Sequence, residues 1–420
     1  MDLMTFAWLL TDPGQDLLRD AGLSDFSDAA RLHDIERLRR RATREQAAAA
    51  YEIAWLRRRA VAKFREAARM YFTREALEQA SGMAIARYRV DRYTRLGLAH
   101  IADLCCGIGG DTLALAAIAR VTAIDIDALR LAMARANAQV LGLDAIIEFQ
   151  EANLAHTLPP PADALFFDPA RRSEGRRVFT LAEYQPSVRL VEQWQRQTEL
   201  IGIKLAPGVS DEEIATLGIG ELEQISVNGE LKEAVFWLGP LGQPGKRATV
   251  LRESVHDSLA VSSLFLPAGE KPALAMLSEP GAFFYEPDPA IIRSGLVGPL
   301  ANQIGAAQID RSIAYLTADS ALTTPFARCW RVLEWMPFSL KRIQARLRAL
   351  DAGPVTVKKR GSPLETDALA RKLSGEGART LVVVLTIVAG HPAALICEGP
   401  IPRIPESGVR SQESEYQEPV

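Results

Sequence analysis

Ala102-Asp103-Leu104-Cys105-Cys106-Gly107-Ile108-Gly109-Gly110-Asp111 places an acid near the end of an apolar run and three glycines within the next positions. Glycine admits positive φ, so the chain can turn sharply here. Backbone N–H groups at the start of the helix expected from Thr112 can then face a ligand. Such a turn between strand and helix serves several nucleotide cofactors and alone does not choose among them. The spacing is G-x-G-G, and Thr112 stands where the third glycine of a dinucleotide fingerprint would be. S-adenosylmethionine (SAM) has no pyrophosphate to cradle; it has a charged methionine head. Asp103 can accept from that ammonium, directly or through water. We expect SAM contacts from Asp103, Cys105, Gly107 and Gly109; a ligand-free structural turn is the alternative.

Further acids follow at strand ends. Val121-Thr122-Ala123-Ile124-Asp125 ends in a carboxylate able to accept both ribose hydroxyls. Asp127 competes for that role, and alternation along the strand does not separate the two. Asn153 can bond the adenine amine or simply form a loop turn. Leu165-Phe166-Phe167-Asp168-Pro169-Ala170-Arg171-Arg172 places Asp168 where open α/β sheets bind ligands, with Pro169 fixing the backbone beyond it. Methyl transfer is an in-line displacement that needs the acceptor lone pair held on the methyl. Asp168 can orient an amine by accepting from its exocyclic N–H and can take or relay the proton, so Asp168 and Pro169 are the catalytic candidates. Arg171, Arg172, Arg176 and Arg177 can grip phosphates; a solvated loop is the alternative.

These residues need a scaffold of alternating strands and helices. The pattern predicts strands at 99–105, 121–125, 146–150, 164–168 and 200–205. Helices are expected at 112–120, 128–141 (ended by Gly142), 181–198 and 211–217, the last capped by Ser210. Such alternation implies a parallel sheet with right-handed crossovers. Asn228-Gly229 between two apolar runs predicts an antiparallel hairpin, which departs from the dinucleotide-binding arrangement. Upstream, residues 1–95 read as helical, with Leu56, Ala60, Phe64, Ala67 and Tyr71 forming one apolar face until Ser81-Gly82 breaks the pattern.

The chain has 420 residues, 48% hydrophobic and 24% charged, which suits a soluble protein of two or three domains. No apolar run reaches the roughly 18 residues of a membrane helix. The start shows no signal peptide, so the cytoplasm is the expected location. Cysteines 105, 106, 329 and 397 form no C-x-x-C pair and are expected as reduced thiols; with five unpaired histidines, no metal site is expected. The net charge of −3 conceals two basic flanks. Residues 31–69 carry twelve Lys/Arg against five Asp/Glu, and residues 328–372 carry eleven against four. Such asymmetry points to a polyanionic partner, nucleic acid foremost, unless these are solvated helix faces.

With these motifs in place, residues 98–240 resemble a class I SAM-dependent methyltransferase. The stretches 103–111 and Ala123-Ile124-Asp125-Ile126-Asp127 are similar to the trimethylguanosine synthase family and its bacterial relatives, which methylate guanine N2. The chain beyond residue 70 resembles bacterial methyltransferases with a THUMP-like C-terminal domain. That likeness is carried by Asp168-Pro169-Ala170-Arg171-Arg172, by Tyr285-Glu286-Pro287-Asp288-Pro289-Ala290-Ile291-Ile292-Arg293 and by Val357-Lys358-Lys359-Arg360-Gly361. The resemblance implies a seven-stranded Rossmann-like sheet, SAM as donor and structured RNA as acceptor, since true THUMP domains bind RNA. One departure stands out. Amine methyltransferases carry Asp/Asn-Pro-Pro and an aromatic that stacks on the base, where this chain has Ala170 and Arg171. An arginine plane, Phe179 or Tyr184 would have to substitute. Carbon methylation of the uracil-C5 type is disfavoured, because no cysteine occurs between Cys106 and Cys329.

The expected layout is α/β with accessory domains: a helical N-terminal domain (1–95), the methyltransferase core (96–245), a linker with a ferredoxin-like domain (246–330), a THUMP-like domain (331–404) and a tail (405–420). Residues 285–293 read as an Asp-Pro turn entering a helix or as a second site. Lys358, Lys359 and Arg360 are substrate-binding candidates or plain surface. The expected activity is methylation of an exocyclic base nitrogen of RNA. Its rivals are a non-catalytic SAM- and RNA-binding protein, or a methyltransferase acting on a protein or small molecule.

Overall fold

The computed structural model describes residues 1–170, 172–173, 176–177, 180–253 and 258–402. They fall into a unit over Met1–Gly269 and a second that begins at Glu270.

The first unit opens with α1 (Leu3–Leu9), α2 (Asp12–Gly22), α3 (Arg31–Arg39), α4 (Arg44–Ala60), α5 (Arg74–Gln79) and α6 (Met83–Thr94). Caps set several starts: Thr43 forms a capping box with Gln46, and the Thr73 side chain accepts from Ala76 N. The predicted apolar stripe is buried in one core with the sheet. It is not a single helix face, however, because α4 ends at Ala60. Ala67 N and Met70 N donate to carbonyls three residues back. Consecutive turns of that kind keep nearly helical spacing, so periodicity alone hides the stop.

The sheet that follows is built from β1 (His100–Leu104), β2 (Arg120–Asp125), β3 (Ile147–Glu151), β4 (Ala164–Phe167), β7 (Ile201–Leu205), β8 (Gly220–Val227), β9 (Glu230–Leu238), β10 (Gly245–Glu253) and β11 (Leu259–Pro267). A separate ribbon, β5 (Arg172–Ser173) with β6 (Arg176–Arg177), lies between β4 and β7 in the chain. Helices α7 (Thr112–Leu115), α8 (Ala128–Leu141), α9 (Leu190–Trp194) and α10 (Asp211–Ala215) connect the strands. The order is β11-β10-β8-β9-β7-β4-β1-β2-β3. Strands β1, β2, β3, β4 and β7 run parallel, and β9 is antiparallel to both of its neighbours. The expected hairpin turn has positive φ at both Asn228 and Gly229.

Three sequence expectations are corrected. The sheet has nine strands rather than seven. The additional pair, β10 and β11, comes from the stretch expected as linker and ferredoxin-like domain. The Gly- and Pro-rich run after β9 makes a short turn that returns the chain beside β8, so it is not a domain boundary. Residues 181–198 are not one helix: Gln185 exchanges backbone hydrogen bonds with Ala170, and Pro186 has no N–H to continue a helix. The helix from Thr112 ends at Leu115 and continues only as turns.

The second unit holds one seven-stranded sheet, ordered β13-β14-β12-β15-β18-β17-β16. Its strands are β12 (Phe283–Pro287), β13 (Ala307–Asp310), β14 (Ile313–Ala318), β15 (Ala327–Pro337), β16 (Ala352–Lys359), β17 (Arg379–Val388) and β18 (His391–Pro400). Helices α11 (Pro289–Arg293), α12 (Val297–Gln303), α13 (Leu340–Ala349) and α14 (Thr366–Leu373) accompany them. The sheet runs through the expected boundary at residue 330 because β12 pairs with β15. The 285–293 motif is β12 followed by a helix whose first turn is capped by Asp288, whose Oδ1 accepts from Ala290 N at 3.0 Å.

Gly202 lets α6 close on β7. A Cβ there would lie 2.7 Å from a Trp237 ring carbon and 2.8 Å from the Tyr93 hydroxyl. Gly202→Ala is expected to cost about 1–3 kcal/mol by overpacking, read from denaturant unfolding; an unchanged midpoint would show that this contact is slack.

Candidate active site

Strand order creates the crevice. β1 lies between β2 and β4: the chain runs from β1 out to β2 and β3 on one side, then crosses back to β4 on the other. Leu104 pairs with Ile124 on one side and Phe167 on the other. Asp125 and Asp168 therefore emerge one residue beyond the same register line, two strand spacings or about 10 Å apart. A cleft of about 340 Å³ opens there, bounded by the glycine turn, by both acids and by residues 76–81. Lys63 pins that last wall: its Nζ donates to the carbonyls of Leu77 at 2.7 Å, Ala80 at 3.0 Å and Glu78 at 3.2 Å. Burial pulls the Lys63 ammonium down to about 8.

The turn needs left-handed backbone at Cys105, Gly107 and Gly109, with φ of 67°, 57° and 88°. Cys105 is the residue without glycine's freedom, so strain is concentrated at the floor of the cleft. Gly107 N donates to Asp125 Oδ2 at 2.8 Å, which joins the turn to the end of β2. Gly109 does not line the cleft; a Cβ there would sit 3.4 Å from Ala134 Cβ, so it serves the packing of the turn on α8. Burial pushes the Cys105 and Cys106 thiols well up, which leaves neither available as a thiolate nucleophile.

Asp103 also stands behind the lining. It is 1% exposed, and its Oδ2 accepts from Thr112 Oγ1. Burial raises its carboxyl to about 7 against that hydrogen bond. The acid that does reach the lining beside the turn is Asp111, which sequence reasoning quoted without assigning a role. On β2, Asp125 lines the cleft, and its Oδ1 accepts from Asp127 N at 2.9 Å. Burial raises its pKa too. Asp127 is spent as the cap of α8, accepting from Leu129 N and Arg130 N. Asn153 is exposed, lies off the lining and accepts from Ala155 N, which is the turn alternative.

Asp168 and Pro169 both line the cleft. Lys204 Nζ donates to Asp168 Oδ2 at 2.7 Å. Register explains the pair: Phe167 faces Ile203, so the next residues of β4 and β7 stand side by side. Lys204 is 2% exposed and also donates to Ser81 Oγ at 3.0 Å. Ser81 Oγ in turn donates to Asp111 Oδ2 at 2.9 Å. Behind them Arg89 pairs with Asp111 and Glu233, its Cζ 4.2 Å from the Phe166 ring centroid. Sequence reasoning missed Lys204, Arg89 and Ser81. The available signal was a lysine inside the apolar run Ile201-Gly202-Ile203-Lys204-Leu205, since a strand buried on both faces rarely carries one.

The remaining candidates lie elsewhere. Arg171 and Phe179 fall outside the described residues, as do the side chains of Arg172, Arg176 and Arg177. Tyr184 is buried and accepts from Ala206 N at 2.8 Å, so it cannot supply the missing stacking ring. In the second unit, Lys358 donates to Glu286 at 2.8 Å, Lys359 donates to the Leu364 carbonyl at 2.8 Å, and the Arg360 guanidinium carbon lies 5.2 Å from the Tyr315 ring centroid.

The donor set fits SAM better than a dinucleotide. Among the described residues, the lining carries Glu78, Asp111, Asp125 and Asp168 against the single guanidinium of Arg130. That balance suits a sulfonium and an ammonium and repels a pyrophosphate. Each Asp125 oxygen retains a lone pair for a ribose hydroxyl, and exposed Ile126 offers apolar surface beside it.

Comparison with known proteins agrees. A methyltransferase domain profile matches residues 101–168, a THUMP domain-like profile residues 327–399, and a domain of unknown function residues 2–60. The chain is 37% identical over 363 residues to an uncharacterized S-adenosylmethionine-dependent methyltransferase of Mycobacterium tuberculosis, in strains CDC 1551 and H37Rv; 82% of this chain and 95% of the relative are covered. The structure of a candidate methyltransferase from Porphyromonas gingivalis W83 superposes with a TM-score of 0.68 at 19% identity, covering 94% of this chain and 96% of that one, and so shares the fold.

Asp103 generates a pH prediction. Its folded pKa of about 7 exceeds its ordinary 3.8, so between these values the folded chain holds a proton that the unfolded chain releases. Stability is therefore lost as pH rises through that window. The stability of wild type relative to Asp103→Asn, measured by denaturant unfolding without cofactor, is expected to fall by about 3 kcal/mol from pH 5 to pH 8. A difference independent of pH would place the Asp103 proton elsewhere.

Proposed function

The chain belongs to the S-adenosylmethionine-dependent methyltransferases, and from that premise we propose that it methylates an exocyclic base nitrogen of RNA, of the guanine N2 kind. The observation that carries this reading is Asp168 at the rim of the cleft, held through Oδ2 by buried Lys204. Among the described residues its Oδ1 has no such partner, and it is the acceptor for a base N–H.

SAM supplies a methyl group on a sulfonium, whose carbon–sulfur bond breaks toward sulfur as the carbon–nitrogen bond forms. Asp125 holds the ribose hydroxyls, and the turn at Gly107 shapes the floor. Asp168 orients the acceptor nitrogen by accepting from its N–H. The nitrogen becomes cationic on attack, and its proton passes to Asp168 or through it to water. Pro169 fixes the backbone beyond Asp168. With Pro186, it gives the cleft apolar ring surface where an aromatic is missing. Raised thiol pKa values at Cys105 and Cys106 support nitrogen over carbon as the target. RNA as acceptor is supported by the THUMP domain-like match over 327–399 and by the basic flanks.

Purified protein incubated with labelled SAM and total RNA from a strain lacking this gene should transfer label to RNA. Asp168→Asn should lower the rate by about 10²–10⁴-fold while calorimetry shows SAM affinity intact. Equal loss of SAM affinity would give Asp168 a cofactor role instead. Label that survives ribonuclease treatment would mean a protein or small-molecule acceptor.

A further inference from the structure

Two arginines converge on one tryptophan beside the cleft. Trp55 lies in α4, and the guanidinium carbons of Arg59 and Arg74 are 4.7 Å and 4.8 Å from its ring centroid. Arg59 follows one turn later on α4, and Arg74 opens α5. Both are exposed. Their neighbours are tied down: Arg57 donates to the carbonyls of Met70 at 2.8 Å and Arg69 at 3.1 Å, while Arg58 lies 4.8 Å from the Phe26 ring centroid. Glu75, next to Arg74, is paired with Arg130 at 3.2 Å. Among the described residues, no carboxylate stands within ion-pair distance of Arg59 or Arg74. Sharing one indole puts the two guanidinium carbons within about 10 Å of each other, so two like charges are kept near one another by cation–π attraction with no acid paired to either among the described residues. An anion relieves the repulsion, and two guanidinium forks suit the oxygens of a phosphodiester.

Position gives the cluster a purpose. The six residues of α5 span about 9 Å. Arg74 stands at one end, and Ala76, Glu78 and Gln79, two to five residues further on, line the cleft. The offset from Arg74 to the lining residues is therefore about one to two nucleotide rises, at about 3.4 Å each in a helical strand. We infer that Trp55, Arg59 and Arg74 grip a backbone phosphate of the RNA strand whose base enters the cleft, within about two nucleotides of the methylated one. The inference rests on the reading of RNA as acceptor. It assigns a role to part of the N-terminal basic flank: a phosphate contact positions the strand, and the cleft selects the base.

The test is fluorescence anisotropy with a fluorescein-labelled single-stranded RNA of about 20 nucleotides, from about 50 to 200 mM salt. The R59Q/R74Q double variant should bind about tenfold more weakly, with the slope of log K against log salt reduced by about 1. R74Q alone should show a smaller loss in the same direction. SAM affinity by calorimetry should match wild type in both, which verifies the fold. Wild-type affinity and slope in the double variant would overturn the proposal, as would a loss that ignores salt or a wild-type protein that binds no RNA. The two readings fail separately. RNA bound through the cluster but never methylated would sink the acceptor assignment alone. RNA methylated by the double variant with unchanged affinity and rate would sink the cluster alone.

Discussion

A guanidinium with 1% exposure is the constraint on which the first unit turns. Removing an ion of this size from water costs several kcal/mol, recovered only if close counter-charges meet it in good geometry. Arg89 meets Asp111 at the glycine turn and Glu233 on β9 and lies over Phe166 on β4. One side chain of α6 thereby fixes the helix against the turn and two strands of the sheet. Lys204 extends the set through Ser81 to the Asp168 carboxylate. The wall at residues 76–81, the turn and the end of β4 all adjoin this buried set, so the cleft is positioned by two cations, Arg89 and Lys204, that stand behind its lining.

The next residues of α6 repeat the logic farther along the sheet. Arg92 pairs with Glu221 at 2.5 Å and Glu223 at 2.9 Å, both fully buried on β8. Trp237 Nε1 donates to Glu223 at 2.8 Å, and Tyr88 donates to the same side chain at 2.5 Å. Burial raises the Glu221 carboxyl, but Arg247 and Arg92 outweigh it and hold the group below its usual value. Arg247 and Thr249 come from β10. The longer sheet therefore has a cause: the acids of β8 would be buried and under-compensated without β10 beside them.

The cleft and its support differ in electrostatic character. The cations Arg89 and Lys204 are buried behind the lining, while the charged groups of the lining are mostly acidic. A cationic methyl donor is drawn to such a surface, and the acceptor is left to be steered by charge outside it. In the proposed RNA complex, Arg59 on α4 and Arg74 at the start of α5 stand in that outer position. Under the proposed RNA reading, an acidic floor for the sulfonium and a basic approach for the polyanion divide the labour, so that neither displaces the other.

The sequence by itself determined the local features. Glycine spacing after β1, alternation of strand and helix, Gly142 ending α8 and Asn228-Gly229 turning a hairpin are short-range consequences of backbone freedom and periodicity. Asp125 and Asp168 were legible because both lie just beyond short apolar runs. The tertiary structure decided what depends on residues distant in the chain. It put Asp103 and Gly109 behind the floor, spent Asp127 on a cap and Asn153 on a turn, and buried Tyr184. It also brought Lys204 to Asp168, thirty-six positions away, and Arg89 to Glu233, at 144. No local pattern marks such pairs. A charge is committed to the interior only when folding supplies its partner, and which partner that is follows from strand order and register.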